Sequence, residues 1–401
     1  METGEPSDLA SAQRRLVTHA AALGFQVVHD AAPPVSVLDE PGTPLTVMEA
    51  AAALGTARFC ESQPNVVLRL GPSRSIARTL VLNCHLDTVA GAVPVSHTGG
   101  TVTGRGSVDA KGQAVALIAG VREALARRPD FPDRTTVLLQ LVGGEEGGAM
   151  GWYGTRLLVR AGFTGRINVV AEPTRLATLD RTTSTMTARI RVDGEGATDD
   201  AAAAGHNATL ALAVVADALV RRIGLEAANS LCLGGLHTGT MHNRVYGKGV
   251  LLANLAYGSK EEAAWLRATT EDAFGSALTV LERDFAHIPI ATRTARDARQ
   301  ICQLEWTKQG LPVLRGRDPA MERVLTAAGI DRHDDDAGLA PFTCDAMWFN
   351  DSSGYTVVLG AGDLEEDGAH TDHEQVRLTD LASYVDQISA LLTQFDRMPR
   401  G

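Results

Sequence analysis

Four short stretches of the chain are mostly apolar and do not alternate: TLVLNCH (79–85), TTVLLQLV (135–142), INVVAE (167–172) and YTVVLG (355–360). A strand with one solvated face alternates apolar and polar residues. Runs without alternation therefore predict strands covered on both faces, the pattern of an α/β sheet with parallel character. Covering helices are available in the sequence. The segment DAKGQAVALIAGVREALARR (109–128) lies between the first two runs and places Val115, Ile118, Val121 and Leu125 at helical spacing. Another amphipathic helix is expected over SDLASAQRRLVTHAAALGF, with Ser7 as N-cap, Leu9, Leu16, Ala20 and Leu23 on one face, and Gly24 past the end. The stretch between that helix and residue 79 is less regular.

The middle of the chain has a different texture. TMTARIRVDG (185–194) and GVLLANLAY (249–257) read as strands, whereas 205–222 and 259–285 read as helices. This is a compact α+β module placed inside a larger α/β domain, and at 401 residues two domains are expected. The acidic cluster DRHDDDAG (331–338) is most simply a solvated loop. A net charge of -11 and the lack of any basic stripe argue against a nucleic-acid partner. Five scattered cysteines, an odd number, point to reduced thiols in a cytoplasm rather than to a disulfide framework. The start METGEPSDLASAQRRLV has no apolar leader and no run reaches membrane-spanning length, so a cytoplasmic protein without a membrane partner is expected.

Ligands in open α/β sheets bind beyond the carboxyl ends of the strands. Here each such end carries acid or imidazole. The first run gives His85 and Asp87, and GRGSVDAKG follows with Asp109. The second ends in GGEEGG with Glu145 and Glu146, the third in AEPT with Glu172, and the last is followed by His370. Two imidazoles and several carboxylates on one rim would repel one another unless a cation sat among them. Two zinc ions balance Asp109, Glu146 and Glu172 plus one hydroxide. Each ion then has one His, one terminal carboxylate and the shared Asp109. The residues do not distinguish Zn2+ from Co2+ or Mn2+. Asp87, two positions from His85 on a strand, faces the same side and can accept the imidazole's other N–H. Of the adjacent pair Glu145 and Glu146, one can bind metal while its neighbour acts as general base.

The motifs HLDTV, GRGSVDAKG, EEGG, AEPT and AHTDHE resemble those of the co-catalytic zinc amidohydrolases of peptidase family M20, such as acetylornithine deacetylase, succinyl-diaminopimelate desuccinylase and glutamate carboxypeptidase. The resemblance implies a mostly parallel-sheet catalytic domain (1–180 and 311–401) and an inserted α+β lid and dimerisation domain (181–310). It makes His85, Asp109, Glu146, Glu172 and His370 the metal ligands, with Asp109 bridging. It makes Glu145 the base and Asp87 the partner of His85, and it implies a cis peptide at Asp109–Ala110. The implied reaction is hydrolysis of a small-molecule amide, by a homodimer.

Two departures from the family pattern bear on the substrate. In GEGATDDAAAAGHNAT (194–209), Thr198 stands where the family has a histidine that helps to stabilise the oxyanion. His206, His237 and His242 lie in the same module and could substitute, and His242 beside Asn243 is the preferred candidate. The family's G-T-x-x-N survives as Gly239, Thr240 and Asn243, but the strand that follows ends NLAY. Ala256 replaces an arginine that grips the substrate carboxylate. A substrate lacking that carboxylate is one consequence. A metal-dependent enzyme of another type, or a binding protein on the same site, is the other. Asp193, Glu195, Asp199 and Asp200 read as an exposed polar loop, with a cationic or polyhydroxylated amine as the alternative they would face. Neither Cys84 nor Cys344 has a cationic setting that would make it a nucleophile.

Overall fold

The computed structural model describes residues 6–226, 230–334 and 338–399, with side chains from Leu9 onward. The chain forms two compact units: Met1–Thr182 with Pro312–Gly401, and Thr183–Leu311. In chain order the first unit opens with α1 (Pro6–Ala21), β1 (Gln26–Ala31), α2 (Leu45–Leu54), α3 (Thr56–Glu61), β2 (Asn65–Leu70) and β3 (Thr79–His85). It continues with β4 (Ser96–Thr98), β5 (Thr101–Thr103), α4 (Lys111–Arg127), β6 (Thr136–Val142), α5 (Thr155–Arg160) and β7 (Ile167–Val170). The second unit holds β8 (Ser184–Asp193), β9 (Ala197–Thr198), α6 (Ala208–Ile223), β10 (Leu231–His237), β11 (Arg244–Val245) and β12 (Lys248–Tyr257), then α7 (Lys260–Asp284), α8 (Thr292–Ile301) and β13 (Cys302–Lys308). The chain re-enters the first unit with α9 (Pro319–Ala327), β14 (Tyr355–Val358), β15 (Gln375–Arg377) and α10 (Leu378–Asp396).

The four apolar runs become β3, β6, β7 and β14, neighbours in a six-stranded sheet of order β1-β2-β6-β3-β7-β14. These four run parallel, while β2 pairs antiparallel with β6 and β1 antiparallel with β2. Every residue of β3 and β6 is buried, which is why neither alternates. Leu80, Leu82 and Cys84 face one core together with α4 and α10. Val81 faces the other, with Leu138, Val142 and Leu158 of α5. Neither β1 nor β2 is predicted from the sequence. β1 is a largely exposed edge strand, QVVHDA, with no apolar run to announce it. The first helix begins at Pro6, so Ser7 lies inside it rather than capping it, and the Ser7 side chain is outside the described residues. Residues 335–337 of the acidic cluster are likewise outside them.

The second unit is an antiparallel sheet of order β10-β12-β8-β13 with α6 and α7 packed together. Asn207 caps α6 by accepting the Leu210 N–H at 2.9 Å, and Ser259 caps α7 by accepting the Glu262 N–H at 3.0 Å. The edge strands β10 and β13 escape sequence patterning because β10 is mostly solvated and β13 mostly half-buried, with no clean alternation in either. The fold is thus α/β with a mostly parallel central sheet and an α+β insertion. Among the described residues, no helix is long and apolar enough to cross a membrane.

Helices α4 and α10 meet at Gly120, where an added Cβ would lie 2.7 Å from Ile388 Cβ. That approach tolerates no side chain. Gly120→Val should therefore lower stability by about 1–3 kcal/mol through overpacking, measured by urea unfolding; an unchanged midpoint would mean the helices can separate without loss.

Candidate metal centre

Sheet order decides which side chains meet. β3 lies between β6 and β7, and all three point their carboxyl ends the same way. His85 is the last residue of β3, Glu145 and Glu146 follow β6, and Glu172 follows β7. His370 lies in the loop after β14, and Asp109 just ahead of α4. The turn after β6 needs glycine: Gly144 has φ +82, and a Cβ there would sit 2.3 Å from the Tyr153 ring. The Asp109–Ala110 peptide is cis.

These residues converge as two groups that share Asp109: His85, Asp109 and Glu172, and Asp109, Glu146 and His370. Within each group the candidate ligand atoms lie within 4.8 Å of one another. Asp109 Oδ1 is 2.9 Å from His85 Nε2, and its Oδ2 is 3.0 Å from His370 Nε2. Glu146 Oε1 is 3.0 Å from His370 Nε2, and Glu172 Oε1 is 3.6 Å from His85 Nε2. Glu172 Oε1 is also buried without a hydrogen-bond partner, an orphaned acceptor of the sort a cation satisfies. One carboxylate between two imidazoles, with an acid terminal to each, fits a pair of divalent cations.

Asp87 holds this arrangement through both its groups. Its carbonyl oxygen lies 3.1 Å from His85 Nδ1, closer than its carboxylate at 3.6 Å. An Nδ1–H donated there leaves the Nε2 lone pair for a ligand. The carboxylate instead accepts the backbone N–H groups of Glu145 (3.4 Å) and Glu146 (3.0 Å), tying the β6 loop to the end of β3.

The electrostatics follow from crowding charge into a dry site. Burial opposes protonation of His85, but the charge of Glu172, the hydrogen bond to Asp109 and the nearby Asp87 carboxylate override it and raise its pKa well above the usual value. His370, half exposed, is raised to about 10 by hydrogen bonds to Asp109 and then Glu146. Asp109 is buried, which alone would raise its pKa, yet its bonds to His370 and His85 hold it below the carboxylate range. Glu172 is pushed up to about 7 by burial, against the pull of His85. Burial raises Glu145 well above the ordinary range; His85 opposes this, while Glu172, Glu146 and Asp345 reinforce it.

Sequence reasoning missed the supports beneath. Glu374, 1% exposed, accepts the N–H groups of Val108 and Asp109 at 3.3 Å and Arg105 Nη1 at 2.8 Å. Its place next to Asp109 is set by the pairing of β15 with β5. Gln113 clamps the start of α4, donating to the carbonyls of Val108 (2.9 Å) and Ala361 (2.7 Å). A buried row runs from Gln140 through Asn83 and Thr155 to Asp345, whose carboxyl is raised to about 6 by burial. Glu374 left a trace in the sequence, as the last letter of AHTDHE, and Asp345 another, beside Cys344 in FTCDAMWF.

The remaining candidates lie in the second unit. β9 pairs with β11 so that Thr198 faces Arg244, and His242 and Asn243 immediately precede that arginine; all four are exposed. His206 is different. It is 5% exposed, its Nδ1 accepts the Glu195 N–H at 2.8 Å and its Nε2 lies 3.2 Å from Asp297, so both ring nitrogens are engaged. Of the four acids nearby, Asp193 pairs with Lys248 at 2.8 Å and Glu195 with Arg293, while Asp199 and Asp200 are exposed. Ala256 sits on the partly exposed face of β12. Burial raises the Cys84 thiol to about 12 and that of Cys344 well above the usual value, so neither is a nucleophile.

A parallel α/β sheet with this donor cluster at its carboxyl ends defines a hydrolase of the metallopeptidase type. The profile of peptidase family M20/M25/M40 matches residues 81–394, and the chain belongs to that family, hydrolases of amide and peptide-like bonds. The chain is 38% identical over 124 residues to an Aeropyrum pernix protein that carries the name of a LysW-lysine/LysW-ornithine hydrolase. That match covers 31% of this chain and 33% of the relative. A Pyrobaculum aerophilum protein of the same name is 42% identical over 96 residues, 24% of this chain and 25% of that one. Among solved structures, a Staphylococcus aureus tripeptidase superposes with a TM-score of 0.70 at 15% identity, covering 99% and 95% of the two chains. Human carnosine dipeptidase 1 gives 0.61 at 14%, covering 99% and 94%. These two likenesses establish the shared fold.

The pKa of His370 sets a sign for metal uptake. With its pKa near 10 in the metal-free chain, it is protonated at neutral pH, and a cation must displace that proton. Because the folded value lies above the ordinary imidazole value of about 6.5, its contribution to metal-free stability is complete below that pH and is lost as pH rises through about 10. Metal affinity should therefore climb with pH, by up to about tenfold per unit for each proton displaced. Calorimetric titrations in buffers of different ionisation heat measure the released protons; an affinity independent of pH would remove His370 from the ligand set.

Proposed function

We propose that the chain is a two-metal amidohydrolase that removes an N-acyl group or cleaves a peptide-like amide. One observation carries the reading: the two oxygens of Asp109 each lie within 3.0 Å of a different imidazole nitrogen, with an acid terminal to each pair. His85, Asp109 and Glu172 would hold one cation, and Asp109, Glu146 and His370 the other, with zinc as the proposed metal. When bound, such cations supply Lewis acidity at the scissile carbonyl and lower the pKa of the attacking water.

The remaining work belongs to side chains of this protein. Glu145, partly accessible beside the ligand Glu146, takes the proton of the attacking water and later delivers it to the leaving amine. Asp87 keeps Glu145 and Glu146 in place through their backbone amides, and Glu374 does the same for Asp109.

The second unit is proposed as lid and dimerisation element. Supporting this is the edge strand β10, which leaves Leu233 and Leu236 exposed beside unpaired backbone. Thr198, His242 and Asn243 are the proposed substrate-facing residues, and the bonded ring of His206 favours a structural part for it. With Ala256 in place of an arginine, the proposed substrate carries no carboxylate at that position. A cytoplasmic setting is proposed from the odd number and wide scatter of the five cysteines.

Free-amine release by zinc-loaded protein tests this on two panels: N-acyl α-amino acids, with lysine and ornithine included, and N-acyl amines without the carboxylate. Turnover confined to the second panel is expected. Glu145→Gln should keep both metals and lose at least about 100-fold in turnover, while His85→Ala should lose metal. Silence on both panels with two zinc ions bound would overturn the hydrolytic reading.

A further inference from the structure

The opposite end of the sheet holds a second built site. At the amino ends of β7 and β14 lies a cavity of about 220 Å³, lined among others by Arg166, Arg315, Arg317, Ser352, Ser353 and Tyr355. At ~30 Å³ per water molecule this is room for several waters or for one polyatomic ion with part of its parent molecule.

The chemistry of the lining is one-sided. Its acid, Asp318, is already engaged: it pairs with Arg166 Nη2 at 2.6 Å and caps α9 through the Ala320 and Met321 amides. Arg317 is held by both oxygens of Glu322 at 2.9 and 2.6 Å. Arg315 has no carboxylate partner among the described residues, although its backbone is fixed by an N–H donated to Asn350 Oδ1 at 3.3 Å. Two hydroxyls of the same lining, Ser352 Oγ and Tyr355 Oη, are enclosed without a hydrogen-bond partner, and Tyr355 is only 4% exposed. A guanidinium has five donors and no acceptor, and an enclosed hydroxyl without a partner is costly. The missing ligand is therefore an acceptor with negative charge.

We propose that this cavity binds a phosphate group, free or as the monoester of a small metabolite, between Arg315 and the 350–354 loop. A tetrahedral oxyanion offers acceptors in several directions, so it can engage the Arg315 segment and the serine loop at once. A planar carboxylate offers acceptors in one plane only, so it matches the arrangement less fully. The volume left over accommodates the organic part of a monoester.

Calorimetric titration of the zinc-loaded full chain with inorganic phosphate, and separately with glycerol 3-phosphate, tests the site. Two variants probe charge and space. Arg315→Gln removes the cation that has no carboxylate partner among the described residues; Gly316→Leu adds a bulky side chain to the lining, where a Cβ at Gly316 meets nothing within 4 Å. The expected result is one saturable event with a Kd at or below about 1 mM, weakened about tenfold or more in Arg315→Gln and lost in Gly316→Leu, while amide hydrolysis is unchanged in both. Because phosphate also approaches metal ions, the titration is repeated on chelator-treated chain, where the same event should persist. Tighter binding of the ester would assign the spare volume to an organic group, and equal binding would assign the site to the free ion. Binding that is unaffected by both variants, that vanishes with the metal, or that never saturates would overturn the proposal.

Discussion

The carboxylate of Asp109 is the point on which the catalytic unit is organised. It is buried, and each of its oxygens faces a different imidazole. Removing one partner from such a cluster strands charge in a dry setting, at a cost of about 3–5 kcal/mol. The fold must therefore deliver β3, the α4 entrance and the loop after β14 to one place with small tolerance. Sheet order does the coarse placement. Glu374, Gln113 and Asp87 do the fine placement, each by bonding backbone groups of the segment that carries a ligand.

This division explains what could be read in advance. Strands β3, β6, β7 and β14 were legible because burial on both faces removes alternation, and the acids and imidazoles were legible because they interrupt apolar runs at the same end. β1, β10 and β13 were not, because edge strands need no apolar face and hold their place by backbone pairing. The supports were illegible for a related reason. A glutamine such as Gln113 becomes a clamp only once Val108 and Ala361, 253 positions apart, have been brought together. Spacing along the chain carries no signal for that.

The second unit shows the limit of substitution by position. Thr198 stands where the family has an imidazole, and three histidines lie near it in sequence. Distance along the chain cannot rank them, but bonding can. His206 spends one nitrogen on the Glu195 amide and the other on Asp297, beside the Arg293–Glu195 pair, so it locks the entrance to α6. His242 has no such duty and lies beside the β9–β11 ribbon that carries Thr198. Arg244, in register with Thr198, is a cation that no alignment on the NLAY segment would have drawn attention to.

A parallel sheet has two chemically distinct ends, and this chain loads them with opposite charge. At the carboxyl ends, carboxylates outnumber imidazoles and call for cations. At the amino ends of β7 and β14, arginines outnumber the single lining acid and call for an anion. The asymmetry is not a property of the whole chain, whose net charge is -11. It comes from which loops gather at each end: Arg315–Asp318 and 350–354 cluster because β14 must begin next to β7, just as His370 reaches Asp109 because β14 must end there. One strand therefore connects the two sites, and its register fixes both. Any slip of β14 against β7 would turn its side chains to the wrong face and dismantle the cation cluster and the arginine cavity together.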